Sequence, residues 1–523
     1  MLFAMVSVVL CAQNVLSSPG DPFNCTYGDN YTGGTWTISE ETWCDGVSGD
    51  IANNANIIIN AKLILTGGSD ISMDSSGDHN AYVEVNAGGS LYLNGSSQIN
   101  KGSGSYSAIY GKAGSVIDID SSTVTGMGND DTWPYTGLAS NGTLNVRSST
   151  LDDIHTGAFY TRNANGTFSG NIVTDCHRGL EIKTQGATTS AIGPISVTDN
   201  VFNRITRGGD GGKKGITVER APAGRVEVLR NVVNDTQGNG LTISDSVDVD
   251  VINNTFSILN FTTGLSITDV NSSSFLDNNI SDTTGTNAFC IGLIDDANDN
   301  LFQNNILTNC EDYGVLLVDA TGSGSPDNNY FKAGKIDSTV NEGFTISSTG
   351  TNYLVDVVIN ADSADVSTSN SYTTGGTLYV LNSTYTNDTS PDHTVYRQWY
   401  FDATVFNSKG GGISGANVAD FAKNDTLYQW SATAGGGGVI DTQNATEYEL
   451  SASGRDGYNY HNLTVSYPGY DTFNNGTWVD ANKDISITLT GLGVVPEFSS
   501  VLMVIVALGV AVTGIAAIRK RNI

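Results

Sequence analysis

The chain is 523 residues long and carries 54 acidic against 24 basic side chains, a formal net charge of −30. That length calls for two or three structural units, and so acidic a surface excludes nucleic acid and anionic lipid headgroups as electrostatic partners while favouring divalent cations, cationic partners or a salty medium. Abundant Asn, Ser, Thr and Asp, with 61 glycines and apolar residues recurring throughout, suits short strands and tight turns and not long helices or disorder.

At the start, residues 2–12 (LFAMVSVVLCA) are apolar, too short to span a bilayer, and give way to polar residues 17–21. This reads as a signal peptide over 1–19. Of the six cysteines, Cys11 falls in that leader. No Cys-x-x-Cys pair exists and the five histidines are scattered, which argues against a structural zinc or iron–sulfur site. In an oxidising compartment Cys25 can pair with Cys44 and Cys290 with Cys310, leaving Cys176 over; spacing alone leaves the connectivity open.

Residues 51–124 alternate apolar and polar side chains in short runs between glycine turns, as half-buried strands do. Further on, a glycine followed by an apolar-x-apolar strand recurs at Gly157, Gly179, Gly215, Gly240, Gly264, Gly314 and Gly343, with Cys290 in the same phase. A second element, Asn-x-apolar, recurs at Asn171, Asn200, Asn231, Asn254, Asn278, Asn304 and Asn329. In the regular stretch both repeat every 23 to 26 residues. One coil of that size cannot enclose a core, but stacked coils can, each adding a rung to continuous parallel sheets. Stacked Asn side chains can bond to one another along the axis. Leucine-rich repeats lack this spacing and propeller blades are longer.

Taken together over residues 135–350, these motifs resemble the right-handed parallel β-helix repeats of pectin-lyase-like and NosD-like proteins. The resemblance implies an all-β rod over residues 20–370, with 51–124 as its first coils; a separate β-sandwich at the front is the competing reading. It carries over no catalytic residue, because no family catalytic motif is matched residue for residue, and the fold serves lyases, hydrolases, adhesins and passive stalks alike.

Three groups of residues within the rod invite chemistry. Asp245, Asp269, Asp295 and Asp319 each fall five positions after the glycine column and should stack. Unit charges ~5 Å apart repel by roughly 1 kcal/mol in water and about 3 kcal/mol at an effective dielectric of 20, so the column is expected to face solvent or hold cations, calcium being the metal its oxygens suit. Capping of strand-ending turns is the alternative. The second group is the repeated Asp-x-His-x-Gly, Asp153 with His155 and Asp175 with His177, placing both histidines in one column with Lys213. Around it lies the third, a run of Arg178, Lys183, Arg204, Arg207, Lys214, Arg220, Arg225 and Arg230 in an otherwise acidic chain. A base beside cations fits elimination on a uronic-acid glycan; Asp153, Asp175 and Glu181 could instead serve a glycosidase. A non-catalytic glycan or anion contact and plain solvated turns compete with both. The loop 206–214 matches no phosphate-binding fingerprint, and no nucleotide cofactor is expected.

Past residue 370 the period stops, and residues 371–491 show short strands at sandwich spacing. The Gly415-Ala-Asn-Val and Pro468-Gly-Tyr elements resemble carboxypeptidase-regulatory-like (transthyretin-like) modules, which implies a spacer. Residues 499–518, from Ser499 to Ile518, are uncharged and mostly apolar and precede Arg519, Lys520 and Arg521, as a C-terminal transmembrane helix with a basic cytoplasmic tail would. Directly before them, Val495-Pro496-Glu497-Phe498 resembles the PEF-type sorting signal of archaeal surface proteins, which implies an archaeosortase-like processing partner over 495–523; a plain stop-transfer anchor competes. Sixteen Asn-x-Ser/Thr triplets agree with an extracellular location. The sequence therefore points to a surface-anchored β-helix protein, a non-enzymatic adhesin or envelope component contacting glycans or cations, with a surface polysaccharide lyase or glycoside hydrolase as alternative. A NosD-like accessory role is disfavoured by the anchor and by the lack of a His/Met-rich tract.

Overall fold

The computed structural model describes residues 23–492 apart from segments at 76–80, 105, 129–135, 162, 184–192, 207–212, 222–225, 261–262, 286–287, 323, 340, 369–374, 387 and 390–391. The leader, the sorting signal, the C-terminal span, Arg207 and Arg225 lie outside the described residues. Among the described residues no helix is long and apolar enough to cross a membrane. The chain divides into two compact units, Met1–Val395 with Leu450–Gly454, and Tyr396–Glu449 with Arg455–Ile523.

In the first unit every coil contributes three short strands to three parallel sheets. One sheet has 15 strands, running from Trp36–Ile38 through Thr156–Thr161, Arg178–Lys183, Lys214–Glu219 and Asn239–Val247 to Asp388–Thr389; this is the sheet the glycine column opens. A second runs from Thr42–Asp45 to Thr377–Leu381. The third has 14 strands, from Ser48–Ile51 to Val358–Ala361. The first coils are continuous with the regular ones, so no separate sandwich stands in front. Stacking also runs past residue 370, where the sequence period is lost: Thr377–Leu381 pairs in register with Thr351–Val355.

Period-two alternation sends one side of each strand inward, and the inward side chains form one continuous apolar core. Within it Phe275, Phe302 and Phe331 stack at 4.6 and 4.5 Å. The repeated glycine is explained by crowding. A Cβ on Gly179 would stand 2.3 Å from the Gly215 carbonyl oxygen and 2.5 Å from the Phe202 ring. One on Gly215 would meet Val233 and the Gly240 oxygen at 2.5 and 2.6 Å. The left-handed corners are held instead by residues such as Asp153, Asp175, Arg204 and Asp235, at φ of 51, 53, 54 and 49°; Asp and Asn are the non-glycine residues that adopt this region most readily.

The asparagines form a buried ladder. Asn254 Oδ1 accepts from the backbone N–H and the side-chain amide of Asn231 at 2.8 and 3.0 Å. Its Nδ2 donates to the Val228 carbonyl and to Asn278 Oδ1 at 2.8 and 3.0 Å. The same links run from Asn171 through Asn200 to Asn305. Two predicted members fall elsewhere. Asn304 is a left-handed corner bonded to Asp277, its neighbour Asn305 being the rung, and Asn329 belongs to a second ladder with Asn300 and Asn352.

The second unit has an antiparallel sheet ordered Leu427–Thr433, Asn417–Phe421, His461–Ser466 and Phe473–Thr477. Phe401, Val405, Ile487 and Leu489, from the parallel pair Thr394–Asn407 and Lys483–Leu489, share its core with Val418, Trp430 and Val465. Inside it His461 is fully buried, its Nδ1 2.8 Å from the equally buried Asp420 Oδ2 and its Nε2 2.8 Å from the Thr446 carbonyl.

Two outcomes are expected. Asn254→Ala removes both arms of a buried rung and should destabilise the first unit by about 2–4 kcal/mol, since it orphans the Asn231 N–H and the Val228 carbonyl, while Asn279→Ala on the exposed side should change little; urea melts compare them. His461→Ala leaves Asp420 buried without its imidazole and should destabilise the second unit by roughly 3–5 kcal/mol. Equal melting midpoints in either comparison would contradict the assignment.

Candidate functional site

The stacking register brings the predicted histidine column together. Thr156 pairs with Arg178 and Arg178 with Lys214, so the residues just before them, His155, His177 and Lys213, follow one another along the axis. His177 Nδ1 lies 2.9 Å from His155 Nε2, the rings 4.5 Å apart, and His177 is buried. The Lys213 ammonium donates to Gln237 Oε1. This column opens the first sheet, where the chain turns in from the third.

The aspartates of the same motif sit on the corner before it. Asp175 receives Arg204 at both oxygens, Nε to Oδ1 at 2.8 Å and Nη2 to Oδ2 at 2.6 Å. The hydrogen bond from that guanidinium holds the Asp175 carboxyl below the ordinary carboxylate value, outweighing the opposing effect of burial. Asp153 accepts from the Tyr106 hydroxyl at 3.4 Å and lies 3.7 Å from Lys101. The basic run does not form one patch. Arg204 stays at this corner, while Arg230 forms the same two-pronged pair with Asp199 at the corner between the second and third sheets.

What remains together is a charged group on the outward side of the first sheet. Arg178 Nη1 pairs with Glu181 Oε2 at 3.1 Å, and Lys183 with Glu219 at 2.6 Å. Arg220 lies 3.6 Å from Glu219 and 3.7 Å from Asp245. Alternation places Phe159, Glu181, Thr217 and Thr242 in one outward column, yet Glu181 is only 5 % exposed and Thr217 3 %. Sequence reasoning named the charges here but missed Thr161 and Thr217. Their signal is the shared alternation phase with Lys183 and Glu181, which the surrounding basic residues obscured.

The four column aspartates do align, with Arg220 at the head of the column. Asp295 and Asp319 are buried and do not face solvent, so for these two that half of the expectation is corrected. Backbone amides compensate them: Asp295 Oδ1 accepts from Ala320 and Thr321 at 2.9 and 3.0 Å, and Asp319 Oδ1 from Gly322 at 2.6 Å. Such charge-assisted bonds replace the hydration a buried carboxylate loses. Burial first, then repulsion from Asp245, Asp295 and Asp296, raises the Asp269 carboxyl. Among the described residues no group of three or more His, Cys, Asp or Glu side chains is gathered as a metal centre. Disulfides join Cys25 to Cys44 and Cys290 to Cys310, and buried Cys176 stands outside both.

Fold and site together define an all-β protein of the parallel β-helix class. The profile of the family described as periplasmic copper-binding protein (NosD) matches residues 113–309. Similar solved structures include an alanine mutant of the periplasmic alginate epimerase AlgG, 15 % identical over 59 % of this chain and 76 % of that one, with a TM-score of 0.42. The catalytic domain of a GH87 α-1,3-glucanase in complex with nigerose is 12 % identical over 68 % and 64 %, TM-score 0.39. PfbA, a surface adhesin of Streptococcus pneumoniae, is 10 % identical over 62 % and 85 %, TM-score 0.38. No curated protein matches the sequence significantly.

The Asp175–Arg204 pair sets a pH expectation. A carboxyl lowered on folding stabilises the native state above its unfolded value, and that contribution is lost as pH falls through the folded value. Arg204→Gln should therefore move the Asp175 carboxyl up towards its ordinary value of 3.8 and shrink the acid-side loss of stability; carboxyl NMR titration measures it. An unmoved Asp175 would show that Arg204 is not its partner in solution.

Proposed function

We propose that the protein is an extracellular, surface-anchored rod, a right-handed β-helix that contacts glycans or cations without turning them over. The observation that carries this reading is the engagement of the candidate acid, base and cationic groups with one another. The histidines bond to each other, Asp175 is clamped by Arg204, Arg178 holds Glu181, and Lys213 reaches Gln237. An acid or base must instead come within hydrogen-bond reach of the reacting group. Two disulfides support an oxidising compartment outside the cytoplasm, and the periplasmic description of the matched family agrees. The anchor at 499–518, the sorting signal before it with its archaeosortase-like processing, and the spacer role of the second unit belong to the same proposal. Calcium enters it as a counter-ion for the like charges around Asp269.

One observation favours the second reading, a polysaccharide lyase or glycoside hydrolase. Glu181 is a nearly buried carboxylate beside Arg178 on an outward sheet face, a setting in which enzymes hold an acid or base. The full-length protein, purified in mild detergent, is incubated with acidic and neutral polysaccharides with and without calcium. Retention on glycan without new chain ends, and melting raised by calcium, is the expected result. Chain ends that form with the natural protein and vanish in Glu181→Gln, or in a His155→Ala/His177→Ala double variant, would reverse the ranking.

A further inference from the structure

The exposed aromatic residues of the first unit are of two kinds. Tyr330, Tyr353 and Tyr379 stand in register on the outward side of the second sheet and stack at 4.4 and 5.5 Å, so each covers its neighbour's face. Tyr27 and Trp43, at the first strand of that sheet, are 61 % and 48 % exposed, and among the described residues no aromatic ring packs against either. Adjacent open rings mark a contact surface in a way that a lone exposed one does not.

Three features hold these rings in place. The Cys25–Cys44 disulfide ties the residues ahead of the first coil to the strand Thr42–Asp45. Tyr27 and Trp43 then exchange both backbone hydrogen bonds, at 3.1 and 2.8 Å, in an antiparallel bridge. Residues paired in this way project their side chains to the same side. Gly28, at a φ of 89°, permits so close an approach, because a Cβ there would stand 2.5 Å from the Glu41 carbonyl oxygen. Finally, the indole N–H donates to the Thr66 hydroxyl at 2.9 Å, which donates to Asp45 Oδ1 at 3.0 Å. An exposed ring fixed by such a chain loses little further freedom when a ligand covers it.

The surroundings select the ligand. Glu41 and Asp45 flank Trp43 in the same alternation phase and are exposed, with Lys62 3.5 Å from Glu41. Carboxylates there repel polyanions and accept hydrogen bonds. A pyranose without acidic groups is the complement: its C–H face lies on an aromatic ring and its hydroxyls donate at the edge. By register Trp43 is followed by Ile64 and then Tyr92 on the next two coils, both half-buried, so a chain of sugars along the axis meets apolar side chains throughout. We propose that Tyr27 and Trp43 form a stacking platform for an uncharged glycan, with Asp45 accepting from its hydroxyls. This assignment rests on the reading of the rod as a glycan-contacting surface component, and it names the place of contact and the class of glycan.

The test measures retention of the full-length protein, in mild detergent, on an immobilised neutral glucan, a polyuronate and a chitosan. Retention on the glucan that salt barely changes, with none on the polyuronate, is expected. Trp43→Ala should weaken it about ten-fold and Tyr27→Ala about three-fold. Thr66→Val, which frees the indole without removing it, should weaken it about three-fold with melting unchanged. Trp478→Ala, which removes an indole 60 % exposed in the second unit, should leave it unaltered. Full retention in Trp43→Ala, equal retention on the polyuronate, retention on chitosan alone that salt abolishes, or a dimer in sedimentation that Trp43→Ala dissolves overturns the platform. Should Trp43→Ala melt lower, Tyr27→Ala and Thr66→Val decide, and full retention in both overturns it. New chain ends on the glucan would sink the non-enzymatic reading and leave the platform standing, whereas retention indifferent to all three substitutions would sink the platform and leave that reading intact.

Discussion

The rod depends on closing its corners with hydrogen bonds that run along the axis. Strand ladders satisfy backbone groups within the sheets, but each turn of the chain leaves an N–H and a carbonyl pointing into a core that water does not reach, where an unmet amide costs about 1–3 kcal/mol. A single asparagine per coil meets both needs. Asn254 Oδ1 takes the N–H of Asn231 and Nδ2 takes the carbonyl of Val228, and the amide passes on the same service to Asn278. The ladder is also directional, since every oxygen faces one neighbour and every nitrogen the other. Serines continue it where the corner is tighter: Ser149 N–H donates to Asn171 Oδ1, and Ser149 Oγ accepts from Ser122.

Register follows from that ladder, and surface chemistry follows from register. Once Asn171, Asn200 and Asn231 are aligned, every outward position is fixed against its counterpart one coil away. Opposite charges then meet across coils, as Arg204 with Asp175, Arg230 with Asp199 and Lys183 with Glu219 show. These pairs are mostly half-exposed and individually weak. Their effect is to set most of the described basic residues of the rod against a carboxylate, so that an acidic rod presents little positive charge.

Much of the architecture was legible because a repeat writes its own alignment. The glycine column marked the first sheet correctly, although its reason is crowding against the next coil's carbonyl and the third sheet's side chains, a contact between residues far apart in sequence. The asparagine signal was readable until doublets obscured it: in Asn304-Asn305 only burial tells rung from corner, and Asn329 carries the same local pattern into a different ladder. Aspartate was harder still. One residue type serves left-handed corners at Asp153 and Asp175, backbone-capped burial at Asp295 and Asp319, and surface ion pairs at Asp199. Spacing predicted the column and could not predict which amides would reach it.

The candidate site shows the same limit from the other direction. A count of basic residues along the sequence made one patch of Arg178 through Arg230, but the chain passes through five strands on all three sheets within that span. Arg204 and Arg230 therefore end on different edges, each already clamped by an aspartate, and only the charges carried by the strands of the first sheet remain neighbours. Local charge density in a solenoid must be counted down columns, not along the chain. Counted so, Arg178 meets Glu181 and Lys183 meets Glu219 on the first sheet, and the positive run read along the chain disappears.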